Sequence, residues 1–248
     1  TGNVTLSTAG AIGGVAIGAE STASSEVQTL TLTTSASGTF QPSFNGALGT
    51  ALTVTNARQQ IAVVGTGGTT QLSFNGTNAT ATISITAATT IQQVLTNLVT
   101  IPALAGNVLV SGPTGGPFVI DFIGNLSAQP VNNLVSSVTG PNGAAVSSLV
   151  TGLSLPATGA GSVLASLQSI PALSAAGNVT VTGSAPTYTI TFGGALANTN
   201  VSQLTIANVT GGATATVATI SDGGAGLVLT GIVSGGAGLT KVGAGNVD

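Results

Sequence analysis

The chain has no cysteine, histidine, methionine or tryptophan, and only 3% of its 248 residues are charged. Without cysteine it forms no disulfides. Without cysteine and histidine it has neither the usual zinc ligands nor the common nucleophile–base pairs of hydrolases. Two basic residues are too few to neutralise a nucleic-acid backbone. No purely apolar run of about 18 residues occurs, so we expect no insertion into a membrane.

The composition that remains is rich in glycine, threonine, serine, alanine and valine, and the net charge is −3. A chain with so few side chains that oxidise or titrate is typical of a harsh, exposed setting. We therefore expect an extracellular or cell-surface protein. The chain begins at Thr1 without methionine, which predicts a processed product or a piece of a longer chain.

Two stretches of the sequence repeat each other in order, residues 91–140 and residues 162–211. Ile101-Pro-Ala-Leu matches Ile170-Pro-Ala-Leu, and Gly106-Asn-Val matches Gly177-Asn-Val. The spacing exceeds the usual period of solenoid repeats. Each copy is therefore predicted to form a small folding unit.

Each copy predicts one short helix followed by strands. Ile91, Val94, Leu95 and Leu98 have helical spacing, with Thr89 or Thr90 placed to cap the helix. In the second copy, Val163, Leu164 and Leu167 take the same role, and Pro102 and Pro171 follow the helices as stops. The segments NVLVSG and NVTVTG predict strands, and PFVIDF and TYTITF alternate as half-buried strands do. A last strand is predicted around Leu204 and Ile206, and around 131–135 in the first copy.

A third duplication lies upstream, where GTFQPSFNG (38–46) resembles TTQLSFNG (69–76). Each follows a β-rich run, and each pair is predicted to form a hairpin with an Asn-Gly turn. Residues 26–57 are accordingly interpreted as the front of an incomplete copy. Residues 58–140 then form a full copy, and 141–211 form a copy without a clear front half.

The predicted fold class is mainly β, with tandem β-sandwich-like modules that each contain at most one short helix. The proposed division is an N-terminal strand or linker segment (1–24), a first module with an extra hairpin (25–140), a second module (141–220) and a glycine-rich C-terminal strand segment (221–248). The two chain ends also resemble each other, because TGNVTLS begins the sequence and GAGNVD ends it.

The ordered pattern EVQTLTLTT…SFNG…IPAL…GNVLVSG…PFVIDF, over about residues 25–211, resembles a repeat of very large secreted bacterial surface proteins. Separately, GGAGLTKVGAGNV (235–247) is similar to the autotransporter-associated β-strand repeat. Both resemblances imply a long extracellular β-rich protein of structural or adhesive function. Neither implies catalytic residues or a cofactor.

The charged residues suggest little chemistry. Lys241 could serve a Ser–Lys pair or donate to a Lys–Asn isopeptide bond, and Glu20 and Glu26 could act as paired carboxylates, but these three lie in glycine-rich or serine-rich sequence. Asp121 is interpreted as a solvent-facing strand residue. We expect no enzyme activity and no catalytic, cofactor-binding or metal-binding residues.

Two loop motifs and a set of sequons complete the candidates. Ser221–Gly224 could offer one carboxylate to calcium, although a turn is favoured. The glycine-rich stretch 65–68 has no phosphate-loop order. Asn-x-Ser/Thr triplets could carry glycans, although an origin in the high serine and threonine content is favoured. They begin at Asn3, Asn75, Asn78, Asn125, Asn178, Asn200 and Asn208.

The scarcity of charge predicts self-assembly, because soluble β-proteins protect exposed strand edges chiefly with charged side chains. The leading hypothesis is a structural subunit of an extracellular filament, sheath or surface layer. Thr1–Ala11 and Leu227–Asp248 would act as donor strands in a head-to-tail homopolymer. The alternatives are a cell-surface adhesin or carbohydrate-binding module, and a structural protein of a virion or tail fibre.

Overall fold

A computed structural model describes residues 23–64, 67–84, 86–140 and 143–224. The protein is mainly β, with 43% of the described residues in strands and 12% in helical structure. The two α-helices are α1 (Ile91–Leu98) and α2 (Val163–Gln168). The strands in chain order are β1 (Val27–Leu32), β2 (Gly38–Phe44), β3 (Ala47–Leu48), β4 (Leu52–Val54), β5 (Arg58–Val64), β6 (Thr69–Phe74), β7 (Thr77–Asn78), β8 (Ile83–Ser84), β9 (Val108–Ser111), β10 (Phe118–Phe122), β11 (Val135–Thr139), β12 (Gly143–Val150), β13 (Val179–Ser184), β14 (Thr187–Phe192), β15 (Thr205–Gly211) and β16 (Ala215–Ser221).

The strands form four antiparallel sheets, which group into two modules of two sheets each. Strands β5 to β12, with α1, make a continuous module, called here the inserted module. Its sheets have the orders β12-β5-β10-β9 and β11-β6-β7, with β8 also on β6. Strands β1 to β4 combine with α2 and β13 to β16 to make the second module, called here the host module. Its sheets have the orders β13-β14-β1-β16 and β15-β2-β3, with β4 also on β2.

The two modules have the same strand order, so the sequence duplication corresponds to a structural one. The host module is discontinuous, because β1 pairs with β14 and β16, which lie far downstream. The inserted module occupies the chain between β4 and α2. This pairing differs from the sequence-based division into 25–140 and 141–220. Residues 26–57, interpreted from the sequence as the front of an incomplete copy, instead supply the front half of the downstream copy.

The helices form where the sequence predicts them, and their caps explain where they begin. Thr90 caps α1 with a capping box, in which Gln93 N–H donates to Thr90 Oγ1 and Thr90 N–H donates to Gln93 Oε1. Ser162 caps α2 by accepting from the Ala165 N–H. One face of each helix is buried, including Leu98 in α1 and Leu167 in α2.

The Asn-Gly turns are present but join different strands from those predicted. Asn45-Gly46 closes β2 onto β3, and Asn75-Gly76 closes β6 onto β7. All four residues have positive φ, which the tight turn requires. The predicted pairing of each β-rich run with the following segment is wrong, because β1 and β2 lie in different sheets, as do β5 and β6.

Each module has its own hydrophobic core between its two sheets. Phe44 stacks on Phe192 in the host module with ring centroids 5.8 Å apart, and Phe74 stacks on Phe122 in the inserted module at 6.0 Å. Such pairs contribute about 0.5–1.5 kcal/mol beyond their burial. The inward positions of the alternating strands β10 and β14 are buried as predicted.

The two modules are joined at the end of the host module opposite Ser24 and Gly224, the first and last residues of its hydrogen-bonded fold. Val54 pairs with Gly38, and the Asn56 N–H donates to Ser37 Oγ at 3.0 Å, so the chain enters the inserted module beside the start of β2. Asn56 is buried and accepts from the Ala128 N–H at 3.1 Å. Ala128, a loop residue of the inserted stretch, is fully buried in the host core. The junction is therefore a packed contact and not a free linker.

Candidate assembly surface

The residues considered for catalysis are not brought together in the described part of the chain. Glu20 and Lys241 lie outside the described residues. Asp121 forms an ion pair with Arg58 across neighbouring strands, with Arg58 Nε 2.7 Å from Asp121 Oδ1. This hydrogen bond and the charge of Asp121 raise the pKa of Arg58. The pair was not anticipated from the sequence. The described residues contain no group of three acidic side chains that could hold a metal ion.

Glu26 corrects the sequence interpretation, because it lies in the host module and not in a linker. It is 1% exposed. Its carboxylate accepts from Gln28 Nε2 at 3.0 Å, from Thr219 Oγ1 at 3.2 Å and from the Gly223 N–H at 3.0 Å. Three neutral donors thus compensate its burial. The carboxylate fastens the end of β16 to the start of β1, a structural role.

Two buried glutamines repeat one arrangement in both modules. Gln28 donates to Ser202 O and accepts from the Leu204 N–H at 2.9 Å. Gln59 donates to Asn132 O at 2.9 Å and accepts from the Leu134 N–H at 2.8 Å. Each glutamine therefore connects the central strand of one sheet to the segment that leads into the other. The alternation could have revealed them, since Gln28 shares its parity with the inward residues of β1.

Tyr188 is the only tyrosine of the chain. Its hydroxyl is buried and donates to Leu155 O at 2.6 Å. Burial raises the pKa of Tyr188 to about 12, because the charged phenolate is poorly solvated there. The equivalent residue of the inserted module is Phe118, so the hydrogen bond is specific to the host module. It connects β14 to the segment that returns from the inserted module.

In each module, one edge strand already has outward-facing backbone groups hydrogen-bonded to side chains of the same module. These edge strands are β12 in the inserted module and β16 in the host module. On β12, the Ala144 N–H donates to Thr70 Oγ1 at 3.2 Å, and Ala144 O accepts from Ser136 Oγ at 2.6 Å. On β16, Val217 O accepts from Gln203 Nε2. Both strands also contain a register shift, at Leu149 and at Ile220. Bulges and satisfied edge groups of this kind oppose pairing with another chain.

The opposite edges, β13 and β9, have no hydrogen bonds of this kind among the described residues; α2 packs against β13, and α1 packs against β9. Each pairs with one neighbour only, and neither register is shifted. Among the described residues, no side chain or backbone group binds the outer edge of either strand. Alternate residues of an edge strand direct their N–H and C=O groups outward. An added strand could therefore form hydrogen bonds at these two edges.

The outer face of the host sheet next to β13 is lined with hydroxyl groups. Registers across the four strands place threonines beside one another in successive rows. These are Thr29, Thr31, Thr180, Thr182, Thr187, Thr189, Thr191 and Thr216. The equivalent face of the inserted module instead contains Leu109, Val119, Gln60 and the Arg58–Asp121 pair. The fold does not require threonine there, so the uncharged hydroxyl face is a property of the host module alone.

The described chain enters and leaves the host module at a single point. Ser24 N–H donates to Gly224 O at 3.1 Å, and Gly224 N–H donates to Ser24 O at 2.8 Å. The predicted donor segments Thr1–Ala11 and Leu227–Asp248 lie outside the described residues.

The structure separates the Asn-x-Ser/Thr triplets by exposure. Asn178 is 7% exposed, its Nδ2 donates to Ala172 O, and its Oδ1 accepts from the Ala195 N–H, so it is not a glycan site. Asn3 lies outside the described residues. The exposed asparagines are Asn75, Asn78, Asn125, Asn200 and Asn208.

Comparison with known proteins adds no assignment. Within the described residues, neither helix has the length or the apolar character needed to cross a membrane. The predicted resemblance to repeats of large bacterial surface proteins stays a prediction. A scan against models of protein families finds no match, and a search of curated proteins finds no similar sequence.

Proposed function

We propose that the chain is a structural subunit of an extracellular filament, sheath or surface layer, whose copies join by adding strands to one another's sheets. The observation that carries this proposal is that the edge strands β13 and β9 have no hydrogen-bond partner on their outer side among the described residues. The chain also has only seven charged residues, two basic and five acidic, with which to protect such edges. Main-chain hydrogen bonds provide the affinity in strand addition, and loss of surface ion pairs costs little stability. Assembly of this kind is insensitive to salt and pH.

The point at which the chain enters and leaves the host module determines the geometry of the proposed polymer. The Ser24–Gly224 bridge lies at one end of the host module, and the inserted module is attached at the other end. A polymer connected through the terminal segments therefore carries each module pair as a lateral projection. The inserted module lies outermost in this arrangement.

The alternative of a carbohydrate-binding adhesin is less well supported. Sugar platforms use exposed aromatic rings, and all the aromatic residues of this chain, six phenylalanines and one tyrosine, are buried. A virion or tail-fibre subunit would share the same assembly chemistry. A structural role also suits Glu26 and Asp121, whose carboxylates are both engaged in hydrogen bonds within the fold.

Deletion of the terminal segments tests the proposal. Two truncated chains, one without residues 1–11 and one without 227–248, are compared with the full chain by negative-stain electron microscopy. Chains in which the same segments are replaced by glycine–serine sequence of equal length are the controls for length. We expect filaments from the full chain and single particles from all four variants. Filaments from the variants would refute terminal strand addition.

A further inference from the structure

We propose that two copies of this chain pair through their β13 edges, antiparallel about a two-fold axis, to form one continuous sheet across the two host modules. This contact uses described residues only and is separate from the terminal segments. It occupies β13, so a terminal segment in the proposed polymer would add to β9, and the two contacts can be tested separately.

Strand β13 is the most favourable of the unprotected edges. It has six residues, VTVTGS, with no proline and no charge. Strand β9 has four residues and is followed by Gly112-Pro113. In addition, the row that begins at Leu109 continues into the Asp121–Arg58 ion pair, whereas the row that begins at Thr180 continues into Thr191 and Val27. Charged groups close to an edge oppose pairing, and β13 has none beside it.

A second copy is the occupant that fits this edge, because the edge is complementary to itself. An uncharged strand meets its own copy without like-charge repulsion. Contacts of one patch with the same patch close as two-fold dimers, which are the commonest oligomers. Because β13 borders the threonine face, pairing of two copies through β13 would also join their threonine faces into one continuous surface.

The inward–outward alternation restricts the register of the pair. Val179 and Val181 are buried, while Thr180 and Thr182 are exposed. Opposed residues of an antiparallel pair must lie on the same face, because a slip of one residue would move valines to solvent. A two-fold axis through Val181 meets this condition and places Thr180 opposite Thr182 of the second copy. Cross-strand threonine pairs of this kind are favourable.

A lysine placed on the edge tests the contact, with a matched lysine on the other edge as the control. T182K puts a charge on β13, and T216K puts one on β16, the protected edge strand of the same sheet. Negative-stain images and sedimentation velocity of the full chain are compared with those of both variants. We expect filaments associated side by side, or two-fold dimers, from the parent and from T216K, and loss of this lateral association in T182K.

The outcomes separate this contact from the proposed polymer. Single filaments in T182K, with paired filaments in the parent, support the contact. Discrete dimers without filaments in the parent, lost in T182K, also support it and refute the filament. Unpaired filaments or monomers in the parent, or lateral association that persists in T182K, overturn the contact.

The absence of cysteine allows a direct test of the register. In the variant T180C/T182C, mild oxidation is expected to cross-link the chain into dimers, because each cysteine faces the other position of the second copy. L109C/S111C carries the same pair on β9 and is the control. A cross-linked dimer in T180C/T182C alone supports the register. No dimer, or equal cross-linking in both variants, overturns it.

Discussion

Thr55 and Leu153 form the same closure for the inserted module that Ser24 and Gly224 form for the host module. They make an isolated antiparallel bridge, in which the Leu153 N–H donates to Thr55 O at 3.0 Å. Each module therefore begins and ends at one point of its fold. This is what allows one module to be accommodated within a loop of the other without disrupting its sheets.

This nesting predicts an order of mechanical unfolding. Tension applied at the chain ends reaches the inserted module only through residues 24–54 and 154–224, which belong to the host module. We expect single-molecule stretching of the full chain to show two events, the host module first and the inserted module second. Q59L, which weakens only the inserted module, should lower the force of the second event alone. A change in the first event, or one concerted event, contradicts the nesting.

The inserted module is expected to fold by itself. Its ends meet at the Thr55–Leu153 bridge, and its core is formed from its own strands and helix. A chain of residues 55–153 should show a cooperative thermal transition by far-ultraviolet circular dichroism. A chain of residues 58–140 lacks β12, which pairs with β5 along seven positions, and is the control expected to remain unfolded. Equal transitions in both chains would contradict the strand order.

Each buried glutamine is expected to stabilise its own module. Gln28→Leu removes the partners of the Leu204 N–H and Ser202 O and one donor to the buried Glu26 carboxylate, and Gln59→Leu removes the partners of the Leu134 N–H and Asn132 O. Leaving such groups unsatisfied costs about 1–3 kcal/mol of unfolding free energy. Tyrosine fluorescence in urea reports the host module alone, because Tyr188 is the only tyrosine and tryptophan is absent.

The prediction is therefore tested by comparing the unfolding midpoints from tyrosine fluorescence with those from circular dichroism. Gln28→Leu should lower the midpoint seen by tyrosine fluorescence. Gln59→Leu should shift the circular dichroism transition and leave the fluorescence midpoint in place. The same fluorescence shift in both variants would mean that the modules do not respond separately.

The raised pKa of Tyr188 predicts a loss of stability at alkaline pH. The folded chain holds the proton up to about pH 12, while the unfolded chain releases it near the ordinary value of 10.0. Unfolding therefore releases a proton between these values, and the unfolding free energy falls as the pH rises through them. The contribution is fully present below pH 10.

Tyr188→Phe is the matched variant, since the inserted module has Phe118 at this position. It loses the hydrogen bond to Leu155 O, which costs about 0.5–1.5 kcal/mol at neutral pH. Circular dichroism follows its urea unfolding at a series of pH values. We expect a flatter dependence above pH 10 than in the parent chain, and equal slopes would contradict the assignment to Tyr188.

Local patterns in the sequence predict local structure well. The spacing of Ile91 to Leu98 and the cap at Thr90 act within one turn of chain, and α1 has the predicted bounds. The strands 118–122 and 187–192 are equally evident from their alternation. The pairing of β1 with β14 is different in kind, because no short-range signal relates Val27 to Thr191. An insertion separates the two halves of one module, so the front half is interpreted as an incomplete copy.

Buried polar residues were the other limit on prediction from the sequence. Glu26 and Gln28 share the inward parity of Leu30 and Leu32, but the polar residue type outweighs this signal in the sequence, because polar side chains are usually exposed. Their burial is stabilised by donors and acceptors at Ser202, Leu204 and Gly223, which the sheet pairing alone brings near. The edges of β13 and β9 likewise become visible only once the strand order is known.

Sedimentation velocity of the unmodified full chain over a wide range of concentration tests the central claim most directly. The open edges of an almost uncharged β-protein predict species that grow with concentration and persist in high salt. A single monomeric species at every concentration would contradict assembly through these edges.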